Sequence, residues 1–310
     1  FKRNLSIKNN KTKLSEIPRV IPEGTKGIGF MLGSAASISG ANGTVQYLSQ
    51  GIHVFEIAFF RQLFGLILMA TIFLRSGFRP LFTKKIRLHL IRSILNVLSM
   101  LAFFYGLSLE PLAKVISLAL TAPLFATLGA VIFLKERMTP ARWAAIFIGA
   151  VGALIILRPG IQTVSLGALM VLVSNMLWAV TLVVIKVLTR TDTSVTVALY
   201  SSLLQAPMAF IFAFFVWQWP SLDQLAWLVL LAILGTISQL ALAEAFHHAD
   251  ATLVLPADFT KVIWGSFIGY FCFNQIPEIW VGAGAVVICL AVFYNAYFEA
   301  QNSSSGSSTP

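Results

Sequence analysis

FFYGLSLEPLAKVISLALTAPLFATLGAVIFLKE, residues 103–136, has a diverged counterpart in AEAFHHADATLVLPADFTKVIWGSFIGYFCFNQ, residues 243–275. In each, an aromatic-rich helix end is followed by a short polar break. A long apolar run then carries a proline (Pro123, Pro256) and small residues, and closes on Glu136 or Gln275. A further apolar run with glycines follows each, near Trp143 or Trp280. A helix of about 20 apolar residues crosses a bilayer core, so these runs read as membrane spans and the pair of segments reads as an internal repeat.

Working outward, polar, proline and glycine punctuation divides the chain into ten such runs, at 27–48, 53–74, 88–108, 112–134, 140–157, 165–187, 194–217, 223–245, 251–273 and 278–298. The connections are short, which makes consecutive helices antiparallel neighbours. Five spans per half is an odd number, so the two halves enter the membrane in opposite senses. The expected fold is therefore an all-α integral membrane protein of ten transmembrane helices in two inverted five-helix repeats, an architecture that places a substrate site at the repeat interface. The expected organisation is a disordered basic cytoplasmic tail over 1–26, a first repeat over 27–158, a second over 164–298 and a flexible tail over 299–310.

Composition agrees. Hydrophobic residues make up 57% of the 310 and charged residues 11%, where a soluble protein carries about a quarter charged. Disorder, collagen, a coiled coil and an ordinary cytosolic enzyme are excluded. The net charge of +10 is no sign of a nucleic-acid partner, because the basic residues sit in the N-terminal tail and in short connections. All but four of them fall in segments on one side of the alternating spans. Lys114 and Arg158 fall on the other side, and Arg61 and Lys261 fall within spans. By the positive-inside rule both termini are expected in the cytoplasm, in a bacterial cell membrane. Cys272 and Cys289 lie in apolar runs and read as core residues. No metal-ligand spacing or nucleotide-binding signature is present, so no cofactor is expected.

The segments FEIAFFRQLFG (55–65), 103–140, GALIILRPG (152–160) and ADATLVLPADFTKVIWGSFIGYFCFNQIPEIW (249–280) resemble the drug/metabolite transporter superfamily, in particular its EamA-type ten-helix transporters, over about residues 27–298. The resemblance implies a secondary carrier. Similar members take up S-adenosylmethionine or riboflavin, and others export amino acids and related metabolites. Lys114 and Gln275 depart from the family's pattern, which often has an acidic or small residue at the first position and Glu at the second.

Ionisable groups inside a bilayer are costly and mark interior or functional positions. Asp258 and Lys261 are three apart on one helix face and read either as a substrate or proton site at the repeat interface or as a self-neutralising pair. Gly265 and Gly269 continue that face and suggest a close helix approach. Glu56 and Arg61, five apart, are only partly co-facial, so each reads as pairing with another helix, or, for Glu56 near the outer end, as simply hydrated. Arg61 cannot deprotonate and needs a carboxylate, carbonyls or a ligand anion. The first span, with GSAASISGANGT at 33–44, supplies Asn42 as a further candidate substrate ligand. Asn96 and Tyr105 in the third span, Asn175 and Trp178 in the sixth, and Trp264 beside Lys261 complete the set. Aromatic rings beside polar groups suit flat or cationic substrates. Pro123 and Pro256 are expected hinges. His53 and His89 read as interfacial.

The function these features support is secondary active transport of a small organic metabolite (amino-acid-derived, adenosyl or flavin-like) by alternating access. A proton is the expected coupling ion, with Asp258 and Glu56 as its candidate carriers. The expected partners are the substrate and the lipid bilayer, with the chain either a monomer or a homodimer. An intramembrane enzyme, a channel and a lipid scramblase are the alternatives. The enzyme would want clustered ligands or a nucleophile with its base, and the four histidines are scattered at membrane edges.

Overall fold

The computed structural model describes residues 23–76, 83, 85–134, 139–159, 163–188, 192, 194–248 and 257–305. Among these, eleven helices follow the expected runs: α1 Glu23–Leu48, α2 Val54–Ser76, α3 Ile86–Leu109, α4 Leu112–Ala119, α5 Ala122–Leu134, α6 Pro140–Leu157, α7 Leu166–Leu188, α8 Ser194–Phe214, α9 Leu222–His248, α10 Thr260–Phe273 and α11 Ile279–Ser305. Among the described residues, Ile86–Leu109, Leu112–Phe133, Leu166–Ile185 and Leu222–Ala245 are long and apolar enough to cross a membrane, and three shorter apolar helices accompany them.

Three boundaries differ from the sequence reading. The first helix starts at Glu23, inside the stretch expected to be disordered. The last runs on to Ser305, past the expected limit at 298. No Gly or Pro stands between Gly284 and Gly306 to stop it, and a helix once nucleated propagates. The fourth span is broken into α4 and α5. Residues 1–22, Pro256 and the last five residues lie outside the described set.

Exchanging the halves maps α1 onto α7, α2 onto α8, α3 onto α9, the α4–α5 pair onto α10, and α6 onto α11. The main helix contacts survive that exchange. The packing of α1 on α9 mirrors that of α3 on α7, and α1 on α10 mirrors α7 on α4 and α5. The α2–α8, α6–α11 and α4–α10 contacts map onto themselves. At the α6–α11 crossing, a Cβ on Gly152 would lie 2.9 Å from the Gly284 carbonyl oxygen and 2.7 Å from Ile288. One on Gly284 would lie 2.6 Å from the Gly152 oxygen and 2.4 Å from Ile156. As the position advances along one helix it recedes along the other, so the two run antiparallel about a twofold axis perpendicular to them. That is the inverted repeat.

Reciprocal serine pairs hold the two larger contacts. Ser34 Oγ donates to the Ser238 carbonyl at 2.9 Å with the two hydroxyls 3.1 Å apart. Ser99 Oγ donates to the Ser174 carbonyl at 2.9 Å, again with hydroxyls 3.1 Å apart. All four side chains are buried. Apolar burial is no driving force between helices in lipid, so small residues and interhelical hydrogen bonds carry the packing. Ser99→Ala and Ser238→Ala are each expected to lower stability by about 0.6 kcal/mol, read as a small fall in melting temperature of the purified protein. The outer surface is apolar, with Phe147, Phe215, Trp219 and Ile279 mostly exposed, as a lipid-facing surface requires.

Candidate functional site

The α4–α5 break lies just before Pro123. That residue has no N–H, and its ring would clash with the Ala119 carbonyl in a continuous helix. The chain therefore stops at Ala119 and restarts at Ala122, leaving proline in the first turn of α5, where its missing donor costs nothing. The freed Leu118 carbonyl accepts from the Thr121 backbone at 3.0 Å and the Thr121 hydroxyl at 2.8 Å. Asn175 of α7 donates from Nδ2 to that carbonyl at 3.0 Å and to Thr121 Oγ1 at 2.9 Å. Asn175, a candidate substrate ligand on sequence grounds, thus has its amide nitrogen engaged in holding the break.

The second half repeats the device with different chemistry. Thr260 Oγ1 donates to the Ala257 carbonyl at 2.6 Å, as Thr121 does to Leu118. Ser39 of α1 donates to the Lys261 carbonyl at 3.0 Å, and Phe259 packs on Phe293 of α11. Lys261 Nζ lies 2.7 Å from Asp258 Oδ2, and both side chains are about one-quarter exposed. The equivalent turn in the first half carries no charge. The hydrogen-bonded turns pair Thr121 with Thr260; Pro256, the expected counterpart of Pro123, lies outside the described residues.

The remaining candidates are scattered around these breaks. Asn42 is buried on α1, while Asn96, Tyr105 and Trp178 are half-buried on α3 and α7. Trp264 is 41% exposed, on the outer face of α10 with Phe267 and Phe271. Gly265 does make the close approach its position suggested: a Cβ there would sit 2.4 Å from Ile116 of α4. Glu56 and Arg61 have separate surroundings. Glu56 is wholly buried, and its Oε1 accepts from the Gln218 backbone at 2.8 Å. Arg61 Nη1 reaches Met100 Sδ at 3.2 Å, and its guanidinium lies over the Phe104 ring at 5.7 Å.

Sequence reasoning missed features at both ends of the bundle. At one end, a cleft of about 810 Å³ is lined by Gln46, Gln50, Glu110, Tyr270, Asn274 and Gln275, among others. Glu110 pairs with Lys114 at 2.8 Å and bonds Ser165. Gln275 Oε1 accepts from the Leu112 backbone at 3.0 Å, capping α4. An amide oxygen serves for that as a carboxylate oxygen would. The i,i+4 spacing of Glu110 and Lys114 was the available signal.

At the other end His89, expected at the interface, is buried. It stacks on Tyr200 and bonds Asp192 at 2.8 Å, where Thr83 also donates at 2.7 Å. The Thr83 hydroxyl first, then His89 and Lys85, hold the Asp192 carboxyl below its ordinary value against the opposing effect of burial. A depressed folded value means that this latch contributes fully above the ordinary carboxylate range and is lost as pH falls through the depressed one. Asp192→Asn is expected to lower the melting temperature at neutral pH and to flatten its decline in acid.

Read along the sequence, the EamA-like transporter family matches this chain twice, over residues 25–158 and 165–297. The chain belongs to the EamA-like transporter family. This EamA-like transporter is a multi-pass integral membrane protein that moves a small metabolite. It is 29% identical to an S-adenosylmethionine uptake transporter of Rickettsia bellii, over 88% of this chain and 94% of that one. It is 30% identical to a riboflavin transporter of Vibrio cholerae, over 84% and 90%. A solved crystal structure 16% identical to this EamA-like transporter superposes with a TM-score of 0.59, covering 89% of this chain and 97% of that one, which bears on the fold alone.

Proposed function

We propose that the chain is a secondary carrier that moves an amino-acid-derived, adenosyl or flavin-like metabolite by alternating access, with a proton as coupling ion. The reading rests on the paired helix breaks at Thr121 and Thr260, one of which carries the Asp258–Lys261 pair. Broken helices facing one another across a repeat interface give a carrier both polar backbone for its substrate and hinges for reorientation. The repeats at 27–158 and 164–298 are the bodies that rock. The serine pairs between them supply interhelical bonds weak enough to exchange. Substrate approaches the breaks along α1, α3 and α7, where Asn42, Asn96, Tyr105 and Trp178 offer polar and aromatic contacts. Pro123 and Pro256 act as hinge residues, and Asp258 or Glu56 carries the proton.

Both termini face the cytoplasm in this reading, supported by the concentration of basic residues on one side of the spans. Counterflow in proteoliposomes tests the proposal. Internal unlabelled S-adenosylmethionine or riboflavin is expected to drive transient accumulation of the labelled compound. Linear, unsaturable entry of both would mean a channel, and a chemically altered product would mean an enzyme.

A further inference from the structure

We infer that Arg61 is the binding residue for a carboxylate carried by the transported metabolite. The inference rests on the carrier reading and narrows its substrate class. Arg61 stands on α2 at a junction with α3 and α9, so elements of both halves surround it. Its Nη1 donates to Met100 Sδ at 3.2 Å, and the Phe104 ring lies under the guanidinium at 5.7 Å. Gly235 faces its other edge; a Cβ there would lie 3.5 Å from Nε and 3.6 Å from Nη2. A thioether sulfur is a weak acceptor, and a ring face supplies only a quadrupole.

No carboxylate among the described residues pairs with this cation. Glu56, on the same helix, spends its Oε1 on the Gln218 backbone. Asp258 is held by Lys261, Glu110 by Lys114, and Asp192 by Thr83 and His89. The side chain is half-buried, and its remaining N–H groups find no protein acceptor among the described residues while keeping accessible surface. A guanidinium cannot escape its charge by losing a proton, and an unpaired charge taken out of water is costly.

The missing partner is therefore an anion that arrives from outside the chain. Arginine's planar fork matches a carboxylate with two parallel hydrogen bonds. A monoanion neutralises a single guanidinium, whereas a doubly charged phosphate would leave charge uncompensated between Met100 and Phe104. The favoured substrates are carboxylate-bearing amino-acid derivatives, the amino-acid end of an adenosyl compound included. A neutral flavin offers carbonyl acceptors here but no charge to neutralise the guanidinium.

Matched pairs test this by binding, independently of transport. The purified full chain in detergent is titrated with S-adenosylmethionine and its decarboxylated analogue, methionine and 3-(methylthio)propylamine, and phenylalanine and phenethylamine, with inorganic phosphate alongside. Melting temperature is the readout. In at least one pair the carboxylate compound is expected to bind at least tenfold more tightly than its twin, with no shift from phosphate. Arg61→Gln is expected to melt near the parent temperature and to abolish that difference, and Arg61→Lys to keep part of it as a point charge. If no carboxylate compound outbinds its twin, or if Arg61→Gln preserves the difference, the inference fails. Counterflow of riboflavin alone would then leave the carrier reading standing, whereas absence of counterflow for every compound would remove that reading instead.

Discussion

Asp258→Asn and Lys261→Ala are each expected to slow substrate counterflow at least tenfold, about 1.4 kcal/mol in the barrier, while the protein still inserts and folds. The pair lies at the start of α10, beside the turn that Thr260 ties and the carbonyl that Ser39 of α1 holds. Removing one partner leaves the other charge exposed to a poorly solvated interior. A fully buried pair broken this way loses about 3–5 kcal/mol, but these side chains keep about a quarter of their surface, so roughly 1–2 kcal/mol is the expected loss of stability after that discount. The neutral double variant Asp258→Asn/Lys261→Gln separates the two roles the pair could have. It removes the stranded charge, so the melting temperature should return towards the parent value. If the charges serve substrate or proton, transport stays slow. Transport that recovered together with stability would reduce the pair to a brace for α10.

The helical runs were legible in the sequence because their apolar lengths are set by the thickness of a membrane, which asks nothing of tertiary register. The repeat was legible for a related reason: 103–136 and 243–275 keep the same order of aromatic end, break and apolar run. Its detailed alignment was not. Proline is the conspicuous residue in an apolar helix, so Pro123 and Pro256 were matched. Pro256 lies outside the described residues, and what the geometry equates is Thr121 and Thr260, whose hydroxyls fold back on carbonyls three residues earlier. Threonine does this in many helices, and nothing local marks the two that close a break. The serine pairs were hidden in the same way. Ser34 finds Ser238 and Ser99 finds Ser174 only once the halves are apposed.

Of the candidate site, the Asp258–Lys261 contact followed from spacing alone, since three residues along a helix bring side chains together. The surroundings of Arg61 did not, because Met100 and Phe104 look like ordinary filling of an apolar helix. Asn175 was singled out for its polarity. Its amide nitrogen proves to be committed to the Leu118 carbonyl, which only the break makes available.

Gly284→Ala is expected to be among the most damaging single-methyl additions the chain can receive. The new Cβ would lie 2.6 Å from the Gly152 carbonyl oxygen and 2.4 Å from Ile156. Ile156 can rotate away, but a helix backbone cannot yield alone, so α6 and α11 must separate. Overpacking of this kind costs about 1–3 kcal/mol and occasionally more. Gly152→Ala meets the mirror-related obstacle, the Gly284 oxygen at 2.9 Å, and should be damaging to a slightly smaller degree. The double variant should cost less than the sum, because one separation of the helices relieves both contacts. Gly282→Ala is the control: it lies on the same helix, and nothing lies within 4 Å of its added methyl, so it should melt at or slightly above the parent temperature, alanine being the better helix former. Thermal melting of the four variants beside the parent in one detergent decides the matter. If Gly284→Ala melts like Gly282→Ala, α6 and α11 are not in backbone contact. The antiparallel crossing would then be lost, and with it the direct geometric sign that the two halves are inverted copies.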